Sequence, residues 1–131
     1  MSAVTAWAGY LRRTLWPLAN AGTLAWLLHR VTGVALALYL PLHFLSINAA
    51  RGGPAALDAE LAGFATPFFA AAEWVLVGAV AFHGFNGLRV IALDFFDLAP
   101  RHKWLVAAVL LACAAVMAAA SVVFLPRILG A

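Results

Sequence analysis

Charged residues are scarce in this chain of 131 residues: Asp, Glu, Lys and Arg make up 10% of it, against about 25% in soluble domains. Hydrophobic residues account for 66%, and the mean hydropathy is +1.01. The sequence also lacks any polar low-complexity tract, so a long disordered segment is excluded. A soluble globular domain is excluded as well, because this composition is typical of a membrane protein.

Cysteine is nearly absent too. Cys113 is the only one and lies in an apolar run, so an internal disulfide and a cysteine-based metal cluster are both excluded. The net charge of +3 comes from eight Lys and Arg residues that border the apolar runs and form no basic tract. We therefore expect contact with membrane lipid and no nucleic-acid binding. The first 25 residues contain no continuous apolar run of the kind found in a secretory signal peptide, and we predict none.

Three long apolar stretches can each cross a bilayer as a helix, since about 20 residues rise roughly 30 Å. The first contains twenty uncharged residues between Arg30 and Arg51. The second opens with Thr66-Pro67, an N-cap residue followed by proline at the first helical position. The third is the uncharged run before Arg127. The sequence thus predicts an all-α membrane protein with a single transmembrane domain: an N-terminal interfacial segment at 1–24, then spans at about 27–48, 67–93 and 104–126.

The basic residues are unevenly distributed around these spans. Six of the eight lie at or before the start of the first span, or around the turn between the second and third spans. The loop after the first span and the C-terminal segment hold only Arg51 and Arg127. The positive-inside rule therefore predicts that the N-terminus lies in the cytoplasm and that the first loop lies outside.

Three of the four histidines lie within the predicted spans, namely His29, His43 and His83. A polar residue at membrane depth is costly and needs a partner, and ligation of a haem iron by imidazole is one solution. His83 is followed by Gly84, and Gly87 lies one helical turn later, so side chains are missing where a flat macrocycle would approach. An equally good explanation of His83 is that it only forms a hydrogen bond between packed helices.

A second candidate site lies at the predicted cytoplasmic end of the spans. Asp94 follows His83 by eleven residues, which places it on nearly the same helix face, about 16 Å away. Arg30 lies at the same end of the first span, and a cation and a carboxylate there could hold a polar headgroup. Alternatively, Arg30, Arg89 and Asp94 only snorkel or pair at the membrane interface.

Two segments resemble signatures of a known family: LAWLLHRVTGVALALYLPLH at 24–43 and FHGFNGLRVIALDF at 82–95. They are similar to the HR-x-TG and H-x-x-x-G-x-R-x-x-x-x-D motifs in the cytochrome b membrane-anchor subunit of succinate dehydrogenase. The resemblance implies a subunit of succinate:quinone oxidoreductase in a bacterial or archaeal cytoplasmic membrane. Its expected partners are a second three-helix anchor subunit and, at the cytoplasmic face, the iron–sulfur and flavoprotein subunits. It would pass electrons to a membrane quinone and take no part in the chemistry of the dicarboxylate.

The resemblance also implies roles for individual residues. His83 corresponds to an axial ligand of haem b, and His29 is expected near the haem propionates or the quinone. Arg30 corresponds to a residue of the quinone site, and Asp94, near the same surface, is expected to take part in proton uptake or to pair with a cation. Where ubiquinone-linked members offer a serine hydroxyl, this chain has Leu27 and Trp26, and Trp26 is expected to provide an indole N–H or an aromatic wall.

His43 resembles the extra first-helix histidine of members that bind two haems. If Arg30 and Arg89 lie at one level, His43 is near 20 Å deep and His83 near 9 Å. Two imidazoles on one iron lie only about 4 Å apart, so a single haem cannot take both. We expect one haem b with His83 as an iron ligand and, if His43 also ligates iron, a second haem whose other ligands come from the partner subunit. Alternatively, His43 only donates a hydrogen bond to a neighbouring helix.

Two further functions differ in class from a redox subunit. A haem-free structural anchor, whose histidines only form hydrogen bonds, is the main alternative, since some members of the superfamily lack haem. A transporter is disfavoured, because three spans without an inverted repeat or a broken helix are too few to enclose a transport pathway. The sequence therefore leaves a haem- and quinone-binding subunit and a haem-free anchor as the two candidates.

Overall fold

The computed structural model describes residues 20–130, and these residues form four α-helices and no β-strand. In chain order the helices are α1 (Ala21–Ile47), α2 (Pro54–Phe64), α3 (Pro67–Phe96) and α4 (His102–Leu129). Three of them, α1, α3 and α4, are long and apolar enough to cross a membrane. The predicted all-α fold with three transmembrane helices is therefore confirmed.

Each long helical run is longer than the span predicted inside it. With the 3-10 turns that adjoin them, the three runs are Ala21–Gly52, Pro67–Phe96 and Ala99–Leu129. A bilayer accommodates such extra length when the helices tilt. The predicted interfacial segment at 1–24 lies outside the described residues up to residue 19, and its last residues belong to α1.

Side-chain caps fix the starts of α1 and α3. Asn20 Oδ1 accepts a hydrogen bond from the Gly22 N–H at 3.0 Å at the start of α1. Thr66 Oγ1 accepts one from the Phe69 N–H at 3.3 Å at the start of α3, where Pro67 occupies the first position. Both caps satisfy backbone donors that have no partner in the first helical turn. The N-cap predicted at Thr66 is confirmed.

The segment between the first two spans is largely helical, although we expected a loop there. A 3-10 turn at Asn48–Gly52 leads to Gly53, whose φ of 93° is readily adopted only by glycine. Pro54 then occupies the first turn of α2, where its missing N–H does no harm. The Ser46 hydroxyl donates a hydrogen bond to Glu60 Oε1 at 2.9 Å, which ties α2 to the end of α1.

The long helices pack as an antiparallel bundle. α1 and α3 run in opposite directions, since Thr32 lies beside His83 and Ala25 lies beside Asn86. α4 runs antiparallel to α3 and has its most extensive contact with that helix. Small residues allow membrane helices to approach closely. The buried apolar residues are two alanines, which are small in this way, and two valines: Ala25, Ala70, Val106 and Val109.

We name the two ends of the bundle after α1. The Ala21 end also contains the C-terminus of α3 and the start of α4, whereas the Ile47 end contains α2, the start of α3 and the C-terminus of α4. Large apolar side chains are exposed along all three long helices, for example Leu38, Phe95 and Leu111. Such faces are suited to contact with lipid or with another transmembrane subunit.

Candidate functional site

Two of the predicted site histidines lie against each other between α1 and α3. The imidazoles of His29 and His83 are stacked, with ring centroids 4.1 Å apart and planes inclined by 8°. The Nδ1 atom of His83 also lies 3.2 Å from the His29 carbonyl oxygen and 3.3 Å from Thr32 Oγ1. The first signature segment on α1 therefore contacts the histidine of the second signature segment on α3.

Glycines leave room for these two rings. A Cβ atom on Gly33 would lie only 2.9 Å from His83 Cε1, and one on Gly87 would lie 3.5 Å from His29 Cε1. A Cβ atom on Gly84 would meet no described atom within 4 Å. Of the two glycines that the sequence analysis assigned to a macrocycle, Gly84 thus faces open space, whereas the space at Gly87 is taken by the His29 imidazole.

A buried polar pair lies next to the histidines toward the Ala21 end. Asn86 is fully buried, and its Nδ2 donates a hydrogen bond to the Ala25 carbonyl at 3.4 Å. Arg89 is 9% exposed, and its Nη1 donates to Asn86 Oδ1 at 3.1 Å. The proposed alternative that Arg89 snorkels to the interface is therefore wrong, because its guanidinium turns into the contact between the helices.

Arg30 and Trp26 form the exposed part of the site. The Arg30 guanidinium carbon lies 4.2 Å from the centroid of the Trp26 ring, a distance at which a cation and an aromatic face attract each other. The i, i+4 spacing on α1 brings the two side chains together. Asp94 is exposed at the same end of the bundle, and it forms no ion pair with Arg30 in the described structure.

His43 belongs to a different place in the molecule, toward the Ile47 end. Its Nδ1 lies 2.9 Å from the Tyr39 hydroxyl oxygen, and the two rings are 5.2 Å apart. Both side chains line a cavity of about 570 Å³ between α1, α2 and α3, to which α2 contributes Glu60 and α3 contributes Glu73. The structure thus brings His29 and His83 together and keeps His43 separate from them.

Three residues at the site had no predicted role: Thr32, Gly33 and Asn86. Thr32 and Gly33 belong to the first signature, so a signal was present for both, whereas Asn86 occupies an unspecified position of the second signature. Among residues 20–130, no group of three or more His, Cys, Asp or Glu side chains could hold a metal ion. An iron ligand provided by a single histidine is not such a group.

The fold and the site together define a class: a three-helix membrane protein with a polar, histidine-containing site between its first two spans. Residues 10–119 match the Succinate dehydrogenase/Fumarate reductase transmembrane subunit family. The chain belongs to this family, as the two signature segments predicted. The match covers most of the chain, including all the candidate site residues.

Two curated proteins are similar to the chain. The first is Succinate dehydrogenase 2 membrane subunit SdhC of Mycobacterium tuberculosis, which is 36% identical over 103 residues, or 76% of this chain and 75% of that protein. The second is the Succinate dehydrogenase hydrophobic membrane anchor subunit of Archaeoglobus fulgidus, 37% identical over 71 residues, or 54% of this chain and 61% of that protein. The chain is therefore a succinate dehydrogenase membrane anchor, integral to a membrane and part of a larger complex.

Proposed function

We propose that this anchor binds haem b and a quinone, and that it passes electrons from the iron–sulfur subunit of succinate:quinone oxidoreductase to the membrane quinone. The observation that carries the proposal is the environment of His83. Its Nδ1 is held by two groups of α1, while its Nε2 makes no hydrogen bond to any residue from 20 to 130. An imidazole held at one nitrogen and available at the other is the usual arrangement of a histidine that ligates a metal.

The residues around His83 fit a haem. The Nδ1 atom of His29 is buried without a hydrogen-bond partner among the described residues, so this position can receive a polar group such as a propionate. Open space at Gly84 adjoins the His83 backbone. When bound, haem supplies a one-electron carrier. His83 would be the residue of this chain that holds the haem iron, and the second anchor subunit would supply a further ligand.

Substitution of His83 by leucine tests this function in the assembled complex. We expect the reduced-minus-oxidised absorbance signal of the haem near His83 to be lost, because leucine has no ligating nitrogen. His102→Leu is the matched control, since His102 lies at the start of α4 and contacts neither His29 nor His83 through a hydrogen bond or ring contact. An unchanged spectrum in His83→Leu would show that His83 does not ligate the haem, and a native complex with no haem absorbance would support the haem-free structural anchor.

The quinone headgroup is proposed to bind at the Ala21 end, beside Arg30. Three features support this position: the guanidinium is exposed, Trp26 offers a flat aromatic wall next to it, and Asp94 provides a carboxylate at the same end for proton uptake. A fixed cation stabilises the negative charge that develops on a headgroup during reduction. Arg30 therefore has the electrostatic role, and Trp26 has the positioning role.

The proposal also assigns partners and an orientation. The exposed apolar faces of the long helices are suited to a second three-helix anchor subunit and to lipid. The excess of basic residues at the Ala21 end supports a cytoplasmic location for that end, where the iron–sulfur and flavoprotein subunits bind. Electrons then reach the quinone site from the same side of the membrane. The membrane is the cytoplasmic membrane of a bacterium or an archaeon.

A second haem beside His43 is the other candidate for this chain. The supporting observation is the cavity of about 570 Å³ that His43 lines together with Tyr39. The Tyr39 hydroxyl occupies the Nδ1 side of the ring at 2.9 Å, so Nε2 is again the nitrogen that remains for a ligand. The partner subunit would have to provide the remaining ligands of this haem.

A further inference from the structure

The contacts of His83 define which of its nitrogens carries the proton. The His29 backbone carbonyl, 3.2 Å from Nδ1, is an acceptor and cannot donate. A hydrogen bond between these two atoms is possible only when Nδ1 bears a hydrogen. The neutral imidazole then has its lone pair on Nε2, the nitrogen that faces away from this carbonyl.

Thr32 reinforces this arrangement, because its hydroxyl hydrogen is used elsewhere. Thr32 Oγ1 lies 2.8 Å from the Leu28 carbonyl and 3.1 Å from the His29 carbonyl, and both are acceptors. The single hydroxyl hydrogen therefore goes to the backbone of α1, as is common for threonine within a helix. The oxygen lone pairs remain for the Nδ1–H of His83 at 3.3 Å.

Gly33 sets the position of the same ring. A Cβ atom at this residue would lie 2.9 Å from His83 Cε1 and 3.4 Å from Nδ1, and the first of these distances is too short for unstrained carbon atoms. Any larger residue would push the imidazole away from α1. The His83 ring is therefore oriented by the backbone of His29, the hydroxyl of Thr32 and the missing side chain of Gly33.

We propose that Thr32 and Gly33 are positioning residues for the haem ligand: they hold His83 as the Nδ1–H tautomer, so that Nε2 ligates the iron. This inference rests on the proposed haem function. A hydrogen bond from the distant nitrogen makes a ligating imidazole more basic and fixes its orientation. Thr32 thereby influences the midpoint potential of the haem without contacting it, and Gly33 influences the affinity of the site for haem.

Two variants at Thr32 separate the role of the hydroxyl from the role of side-chain shape. In the purified complex, Thr32→Val keeps the shape and removes the acceptor, whereas Thr32→Ser keeps the acceptor. We expect the haem midpoint potential to shift to more positive values in Thr32→Val, because a less basic imidazole stabilises ferric haem less. The electron paramagnetic resonance spectrum of the oxidised haem should shift as well. Thr32→Ser should keep the native potential and spectrum, and so should Thr23→Val, a matched control on the same helix.

Gly33→Ala tests the orientation of the ring by a second measurement, haem transfer to excess apomyoglobin. The added methyl group should weaken haem retention by about tenfold, the low end of the effect of losing such an outer contact. Gly63→Ala is the control, because its added methyl group meets no described atom within 4 Å.

The inference is overturned if Thr32→Val keeps the native potential and spectrum, or if Thr32→Ser is altered as much as Thr32→Val. Retention of haem at the native level in Gly33→Ala also contradicts it. A spectrum and haem content in His83→Leu identical to those of the native complex are a different result, because that outcome removes His83 as a haem ligand and with it the proposed function. If Gly33→Ala fails to assemble, the pair of Thr32 variants still decides the question.

Discussion

The polar side chains near the Ala21 end divide into a buried group and an exposed group. Asn86 and Arg89 are buried and His29 and His83 are half-buried between the helices, where a polar atom in a low dielectric needs a partner. Arg30 is exposed and its only described contact through the charged group is the face of Trp26. Of Arg30 and Arg89, Arg30 is therefore the one that remains available to a ligand from outside the chain.

Arg30→Ala should slow quinone reduction by about tenfold or more, since the effect of removing a buried donor is about 10²–10³ and Arg30 is exposed in this chain. Succinate oxidation with an artificial acceptor that bypasses the membrane domain should stay at the native rate. The two assays are compared on the same purified complex. Arg101→Ala, which removes an exposed cation at the same end, is the control. An equal loss in both assays would mean failed assembly, and no loss in either would remove Arg30 from the site.

The sequence predicted His83, Arg30 and Trp26 as site residues, but it did not predict their contacts. Helical spacing places Trp26 next to Arg30 because both belong to one helix. The contact of His83 with Thr32, by contrast, depends on which face of α1 meets α3. That choice is made by packing between helices, so it has no signal in the periodicity of either helix alone.

Polar contacts between α3 and α4 are concentrated at the Ile47 half of the bundle. Trp74 Nε1 donates a hydrogen bond to Ser121 Oγ at 3.0 Å, and the Ser121 hydroxyl donates to the backbone of its own helix at 2.7 Å. Closer to the end, Arg127 and Glu73 form an ion pair at 3.2 Å, with both side chains close to half exposed. An exposed ion pair contributes little, typically up to about 1 kcal/mol, so the tryptophan contact is the more specific link.

Trp74→Phe and Ser121→Ala should show coupled effects on the free energy of unfolding. A polar contact between membrane helices is worth about 0.6 kcal/mol on average and up to about 1.7 kcal/mol. A double-mutant cycle of the complex in mixed detergent micelles should therefore give a coupling energy of this size. The matched pair, Trp104→Phe with Ser121→Ala, should be additive because Trp104 is 79% exposed. Additive effects for the Trp74 pair would show that the hydrogen bond from Trp74 to Ser121 does not contribute to stability.

The start of α3 could be read from the sequence, whereas α2 could not. Thr66-Pro67 carries its own local signal, since the cap and the proline act within one helical turn. α2 begins at a proline that follows two glycines, and such a run is typical of a loop. Its position depends on the positive φ of Gly53 and on the hydrogen bond from Ser46 to Glu60, and that bond joins two different helices.

Across the whole molecule, the antiparallel arrangement separates two histidine sites by depth. His83 contacts α1 at Thr32, and His43 lies eleven residues farther along the same helix, about 16 Å away along its axis. Two imidazoles on one iron are about 4 Å apart, so these two histidines cannot share a haem. The bundle thus has one polar site toward the Ala21 end and a separate cavity toward the Ile47 end.

The number of haems in the complex decides what that second cavity does. If His43 ligates an iron, pyridine haemochrome measured against protein should give two haems per complex and one in His43→Leu, since His83 remains in place. The control variant His102→Leu should keep two haems per complex. The competing interpretation is that Tyr39 alone satisfies the His43 ring through the contact at 2.9 Å, and then the substitution changes no haem signal. A single haem in the native complex would refute the second haem site. The cavity would then be a space for another ligand, lipid or the partner subunit.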